Sequence, residues 1–135
     1  MLDWLIGIPA RPISTGIYEI HITGYGPADV GAYDDLLRHV GRGSGLECHH
    51  IVEKEHLRMI STRFTERQAP AVAIPQDLHR KLISPRFTAE QTTLGGRHGG
   101  RAEVSKAELL DLYEQVYRWH TPFTELYAIA RQILR

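Results

Sequence analysis

Residues 17 to 22, IYEIHI, alternate apolar and polar at period two and run into a TGYGP turn, a pattern that predicts a half-buried strand. The sixteen residues before it (1–16) show no period and read as an irregular lead-in. In the next stretch, DVGAYDDLLRHVG, Tyr33, Leu36, Leu37 and Val40 fall at i, i+3, i+4 and i+7. That spacing predicts a short amphipathic helix, capped by Asp29 and stopped by Gly41. After a GRGSG turn, LECHHIV (46–52) reads as a short strand, and EKEHLRMISTRF as a helix with Leu57, Ile60 and Phe64 inward. TERQAP is a loop, and AVAI (71–74) is a second apolar strand stopped by Pro75.

QDLHRKLI comes next, with Leu78 and Leu82 one helical turn apart and His79 displaced around the helix. SPRFTAEQTTLGGRHGGR lacks periodicity and reads as a loop. The helix EVSKAELLDLYEQVYRW then opens with Ser105 and Glu108 at capping-box spacing and with Val104 and Leu109 as a staple. Its inward stripe is Leu109, Leu112, Tyr113 and Val116. Thr121 and Pro122 restart a last helix, whose apolar face carries Phe123, Leu126, Tyr127, Ala130 and Ile133. Strands and helices in this order predict an α+β fold. Its 135 residues suit a single domain, with a core at 46–83 and C-terminal helices at 105–135.

A 42% apolar and 24% charged composition fits a globular chain, and no apolar run is long enough for a membrane span. MLDWLIGIPARP lacks the basic region and long apolar stretch of a secretory signal. Cys48 is the single cysteine, so no internal disulfide can form. Sixteen basic residues balance sixteen acidic ones, but unevenly. Residues 1 to 50 hold three basic and six acidic side chains. Gln76 to Arg101 holds Arg80, Lys81, Arg86, Arg97 and Arg101 against Asp77 and Glu90. An anion-binding surface is therefore expected in that middle segment.

Imidazole is the side chain that can take a proton near neutral pH or offer a neutral nitrogen to a metal. His49, His50 and His79 lie on elements that the pattern makes neighbours: a strand, a second strand and the helix after it. The stretches ECHHIV and AVAIPQDLHRKL resemble the HNH, or His-Me finger, endonuclease superfamily. The match is to its bacterial polymorphic-toxin branch with a Glu, His, His and later His signature, over roughly residues 46 to 83. The resemblance implies a ββα-metal finger, a short hairpin followed by a helix, with the N-terminal strand and helix and the C-terminal helices packed on it.

It further implies that His50 is the general base for the attacking water and that His49 and His79 hold a divalent ion, with Asp77 a weaker third candidate. Magnesium suits so few protein ligands best, with manganese, nickel or zinc as alternatives. Glu47 is placed to orient His49, or is a solvated strand-end charge. Arg80, Lys81, Arg86, Arg97 and Arg101 are candidate phosphate contacts, or solvated surface. The implied activity is hydrolysis of DNA with little sequence preference. The implied setting is the C-terminal toxin domain of a secreted antibacterial effector that acts in the target cell's cytoplasm and meets a cognate, acidic immunity protein.

Three departures accompany the resemblance. Adjacent strand residues leave on opposite faces, so His49 and His50 share a site only where the chain twists or bulges. The chain has no asparagine for the middle letter of HNH, and Ile83 stands where a further ligand would fall. A thiol hydrolase built on Cys48 and His49 is disfavoured by the same divergence, and Cys48 reads as a small core residue. Neither HExxH nor paired CxxC spacing occurs. His56 reads as a helix-surface residue, and His21, His39 and His120 as packing or surface groups. The non-enzymatic alternative is a nucleic-acid- or partner-binding module with incidental histidines.

Overall fold

Five strands form one antiparallel sheet in the computed structural model, which describes residues 2–41, 43–60, 63–78, 80, 83 and 105–135. They are β1 (Ala10–Ser14), β2 (Ile17–Ile22), β3 (Gly26–Ala32), β4 (Leu46–His50) and β5 (Pro70–Pro75), in the spatial order β1-β2-β3-β5-β4. The helices are α1 (Tyr33–Val40), α2 (Lys54–Met59), the single turn α3 (Gln76–Leu78), α4 (Lys106–Glu114) and α5 (Thr124–Ile133). The class is α+β, as the pattern of elements predicts. No described helix is long and apolar enough to cross a membrane.

Alternation along the strands divides the core in two. Val72 and Ile74 of β5 face a large cluster built with Ile20, Ile22 and Val30 and with Leu109, Leu112, Tyr113, Val116, Leu126 and Ile133 of the C-terminal helices. Ala71 and Ala73 face the other way, onto Leu36 of α1 and Ile17, with Tyr33, Val40 and Cys48 around them. Two alanines there let α1 lie close to the sheet. Gly31 leaves room for the start of β2, since a Cβ on it would stand 2.7 Å from Ile17 Cδ1 and 2.9 Å from Gly16 O.

Several elements differ from expectation. The lead-in is not irregular: Asp3–Leu5 form a 3-10 turn, and β1 pairs with β2. β1 is an edge strand with four exposed positions, so it carries no alternation to read. Asp29 does not cap α1 but lies inside β3, opposite Glu19, and its carboxylate meets His39 Nε2 at 2.9 Å. The helix starts four residues later, and its first N–H groups are taken by carbonyls across the fold: Tyr33 N to Ala69 O and Asp34 N to Arg67 O, both 2.9 Å. Leu36 is fully buried while Leu37 is 49% exposed, so the α1 stripe is narrower than expected. β4 stops at His50, and Ile51 and Val52 turn into the core. α2 ends at Met59.

The capping box of α4 is complete, with Glu108 N donating to Ser105 Oγ at 3.2 Å and Ser105 N to Glu108 Oε1 at 3.3 Å. Its staple partner Val104 and the GGRHGGR loop lie outside the described residues. α4 continues as a π turn over Gln115–His120, closed by Thr121 N and Oγ1 donating to Val116 O at 3.1 and 3.0 Å. α5 is anchored by Glu125, whose two carboxylate oxygens accept from Thr23 N (2.8 Å) and Thr23 Oγ1 (2.9 Å) in the β2–β3 turn.

That junction sets a steric requirement. Gly24 has φ +81°, and a Cβ there would fall 2.1 Å from Pro122 Cγ, whereas Gly43 has φ +77° with open space around it. Gly24→Ala is expected to cost roughly 3 kcal/mol, backbone strain plus the clash, against about 1 kcal/mol of strain alone for Gly43→Ala. Urea denaturation of the two variants measures the difference.

Candidate active site

β4 pairs with β5 in unbroken register: Glu47 opposite Ile74, Cys48 opposite Ala73, His49 opposite Val72 and His50 opposite Ala71. No bulge interrupts it, so the side chains of LECHH alternate. Cys48 and His50 point to the α1 face, Glu47 and His49 to the face of the C-terminal helices. The twist or bulge needed to bring the two imidazoles into one pocket is not found in this strand.

His50 is half-buried and held at two points. Its Nε2 lies 2.7 Å from the carbonyl oxygen of Glu66. A carbonyl can only accept, so Nε2 carries the hydrogen and Nδ1 carries a lone pair. The Tyr33 ring stacks on the imidazole with centroids 4.0 Å apart and planes 17° from parallel. Nδ1 meets no hydrogen-bond partner among the described residues. Burial lowers the pKa of His50 from the ordinary histidine value. The Glu66 carbonyl and the charges of Glu66 and Asp34 pull it upward, and Lys54 adds to the lowering. At neutral pH the group is an uncharged base with a fixed tautomer.

His49 occupies different surroundings. It is 3% exposed, with Nε2 2.7 Å from Tyr117 Oη, and that hydroxyl donates to Ile51 O at 2.7 Å. The hydroxyl has one hydrogen, committed to the carbonyl, so His49 Nε2 donates. His56, expected on a helix surface, is 2% exposed, and its Nδ1 lies 2.6 Å from Tyr113 Oη. The same oxygen accepts from Glu53 N at 2.6 Å. Burial, then neighbouring charge, raises both phenols well above the ordinary tyrosine value, so they remain protonated hydroxyls. The histidine–tyrosine pairs meet edge to face, at 6.4 Å and 78° for His49–Tyr117 and 5.4 Å and 87° for His56–Tyr113.

Hydrophobic periodicity does not reveal these partners, because it places Tyr113 simply in an apolar stripe. A signal exists in the sequence all the same. A buried tyrosine hydroxyl needs a partner, and two tyrosines four residues apart in a chain with eight histidines point to imidazole.

The other expected site residues separate. Glu47 lies on the His49 face and accepts from Arg80 Nη2 at 3.0 Å, so Arg80 faces a carboxylate of its own chain. Asp77 is exposed on α3. Cys48 is half-buried and burial pushes its thiol up, which suits a packing residue. His79, Lys81, Arg86, Arg97 and Arg101 lie outside the described residues. His21, His39 and His120 are exposed.

Among the described residues no three His, Cys, Asp or Glu side chains converge as a metal site. Of the expected ligands they contribute the exposed Asp77 and the buried His49, whose Nε2 is taken by Tyr117 Oη. The described donors do not by themselves fit a metal centre. No family model matches this sequence, and no curated protein or solved structure matches it.

Two of these assignments are open to measurement. Tyr117→Phe strips the hydroxyl from between a buried carbonyl and a buried imidazole, and should cost roughly 2 to 3 kcal/mol in urea denaturation. His50 has a folded pKa below its unfolded one, so as pH falls through about 6.5 the unfolded chain takes up a proton first and stability drops until the folded pKa is passed. His50→Gln should flatten that part of the stability–pH curve, and an unaltered curve would refute the assignment.

Proposed function

We propose that the chain is an endonuclease of the HNH type that hydrolyses DNA phosphodiester bonds with little sequence preference, with His50 as its general base. The observation that carries this reading is the bond from His50 Nε2–H to the Glu66 carbonyl, 2.7 Å long. Where an asparagine is missing from the sequence, a backbone carbonyl orients the imidazole. Its Nδ1 then accepts a proton from water while the water oxygen attacks phosphorus, and the bond to the leaving nucleotide oxygen breaks. Uncharged at neutral pH, the imidazole needs no prior deprotonation to act.

The order of elements also supports the reading. β4 and β5 pair antiparallel with α2 between them in the chain, and the helical turn α3 follows β5 directly, where the helix of a ββα-metal finger would start. A divalent ion, magnesium in the first instance, is proposed to neutralise charge on the phosphate. Of its expected ligands, His49 leaves β4 on the face opposite His50 and is buried, so it does not fit an ion on a phosphate held at His50, and His79 lies outside the described residues. The wider setting proposed is a toxin domain acting in a target cell and held in check by an acidic immunity protein.

A second reading has an observation of its own. His49 and His56 are buried against Tyr117 and Tyr113, roles that packing explains without catalysis, and this favours a binding module. One experiment separates the two. Purified protein with supercoiled plasmid and magnesium or manganese should yield nicked and then linear DNA, and EDTA should stop it. His50→Ala should lower the rate at least about 100-fold with a native circular dichroism spectrum. Intact plasmid across several divalent ions would overturn the nuclease reading.

A further inference from the structure

α1 has no side-chain cap: Ala32 precedes it, and its first two N–H groups reach across to Ala69 O and Arg67 O, each at 2.9 Å. Those carbonyls belong to the same short turn as Glu66, whose own carbonyl accepts from His50 Nε2. The turn is braced from its other side by Arg58 Nε, which donates to Glu66 Oε1 at 2.6 Å. At the start of the helix the Tyr33 ring lies flat on the imidazole, 4.0 Å away. One residue therefore acts twice on His50. Its main chain holds the turn that presents the Glu66 carbonyl, and its side chain covers one face of the ring.

We propose that Tyr33 is a positioning residue for His50, its ring fixing the plane of the imidazole so that Nε2 stays on the Glu66 carbonyl and Nδ1 stays directed at substrate. The catalytic part of this role rests on His50 being the base. A single hydrogen bond leaves an imidazole free to swing about its Cβ–Cγ bond, whose rotation is soft. The bond fixes one edge and the stacked ring fixes the plane, and together they define one orientation. Catalysis is sensitive to such definition, because a base turned away from its proton must be returned before each reaction.

The hydroxyl of Tyr33 takes no part. It makes no hydrogen bond among the described residues. Burial first, then the nearby Cys48 and Asp34, raises its pKa, so it stays a neutral phenol. The ring alone is the working group, which separates this role from acid–base chemistry by tyrosine and predicts rescue by phenylalanine.

The test compares Tyr33→Phe with Tyr33→Leu in cleavage of a labelled DNA duplex and in long-range nitrogen–proton NMR of the His50 ring. The leucine variant should lower kcat about tenfold or more with KM within about twofold, while the phenylalanine variant matches wild type. In the spectra, wild type and Tyr33→Phe should show one Nε2–H tautomer, and Tyr33→Leu nitrogen shifts averaged between tautomers. Wild-type kcat and an unchanged nitrogen pattern in Tyr33→Leu would overturn the proposal, as would a Tyr33→Phe as impaired as Tyr33→Leu. Should the leucine variant fail to fold, Tyr33→Met replaces it. In the wild-type protein itself the stack requires upfield His50 ring protons, and their absence overturns it too. A wild-type protein that cuts no DNA defeats the nuclease reading alone, and the nitrogen spectra then decide whether Tyr33 orients His50.

Discussion

Two tyrosine hydroxyls sealed inside the protein set the relation between its halves. Tyr113 and Tyr117 are both fully buried, and each bonds a main-chain group and an imidazole from residues 49 to 56. A hydroxyl removed from water without a partner is costly, and so is a main-chain carbonyl. The segment that leaves β4 therefore has one position in which Ile51 O, Glu53 N, His49 and His56 are all satisfied. Hydrophobic burial brings the C-terminal helices to the sheet, but it is non-directional. These bonds choose the register.

The choice divides the histidines by duty. On the sheet face toward the C-terminal helices, His49 and His56 belong to a polar network within the core. On the opposite face, His50 sits beneath α1, half-buried, with an acceptor nitrogen left over. Strand alternation makes the division unavoidable, since neighbours on a regular strand cannot share a face. A carbonyl bonded to Nε2 and a flat aromatic ring then hold the His50 imidazole.

Period and punctuation revealed much of this fold. Alternation in IYEIHI, the capping box at Ser105 and Glu108, and the stripe from Leu109 to Val116 all stand where the sequence places them. What escaped was long-range. β1 has no buried face, so no alternation marks it, and in β3 (GPADVGA) the fit of Gly31 depends on Ile17 across the strand pair. The start of α1 is capped by the carbonyls of Arg67 and Ala69, far along the chain, which no local motif announces. The candidate site was legible as residue types, with ECHHIV marking the strand that carries His50. Its partners Tyr33, Glu66, Tyr113 and Tyr117 were not, because each arrives from another element through packing.

The π turn at Gln115–His120 has a consequence for how this chain can change length. It holds one more residue than a regular helical turn, and the Thr121 bonds to Val116 stabilise the surplus. Loss of any one residue there would let the helix close to α geometry with the downstream segment still in phase, because the six residues of the wide turn rotate about as far as five in an α-helix. Phe123 and Leu126 would keep their place in the interior, and Glu125 its reach to Thr23. A one-residue difference in length is therefore absorbed more readily at this turn than elsewhere in the helix.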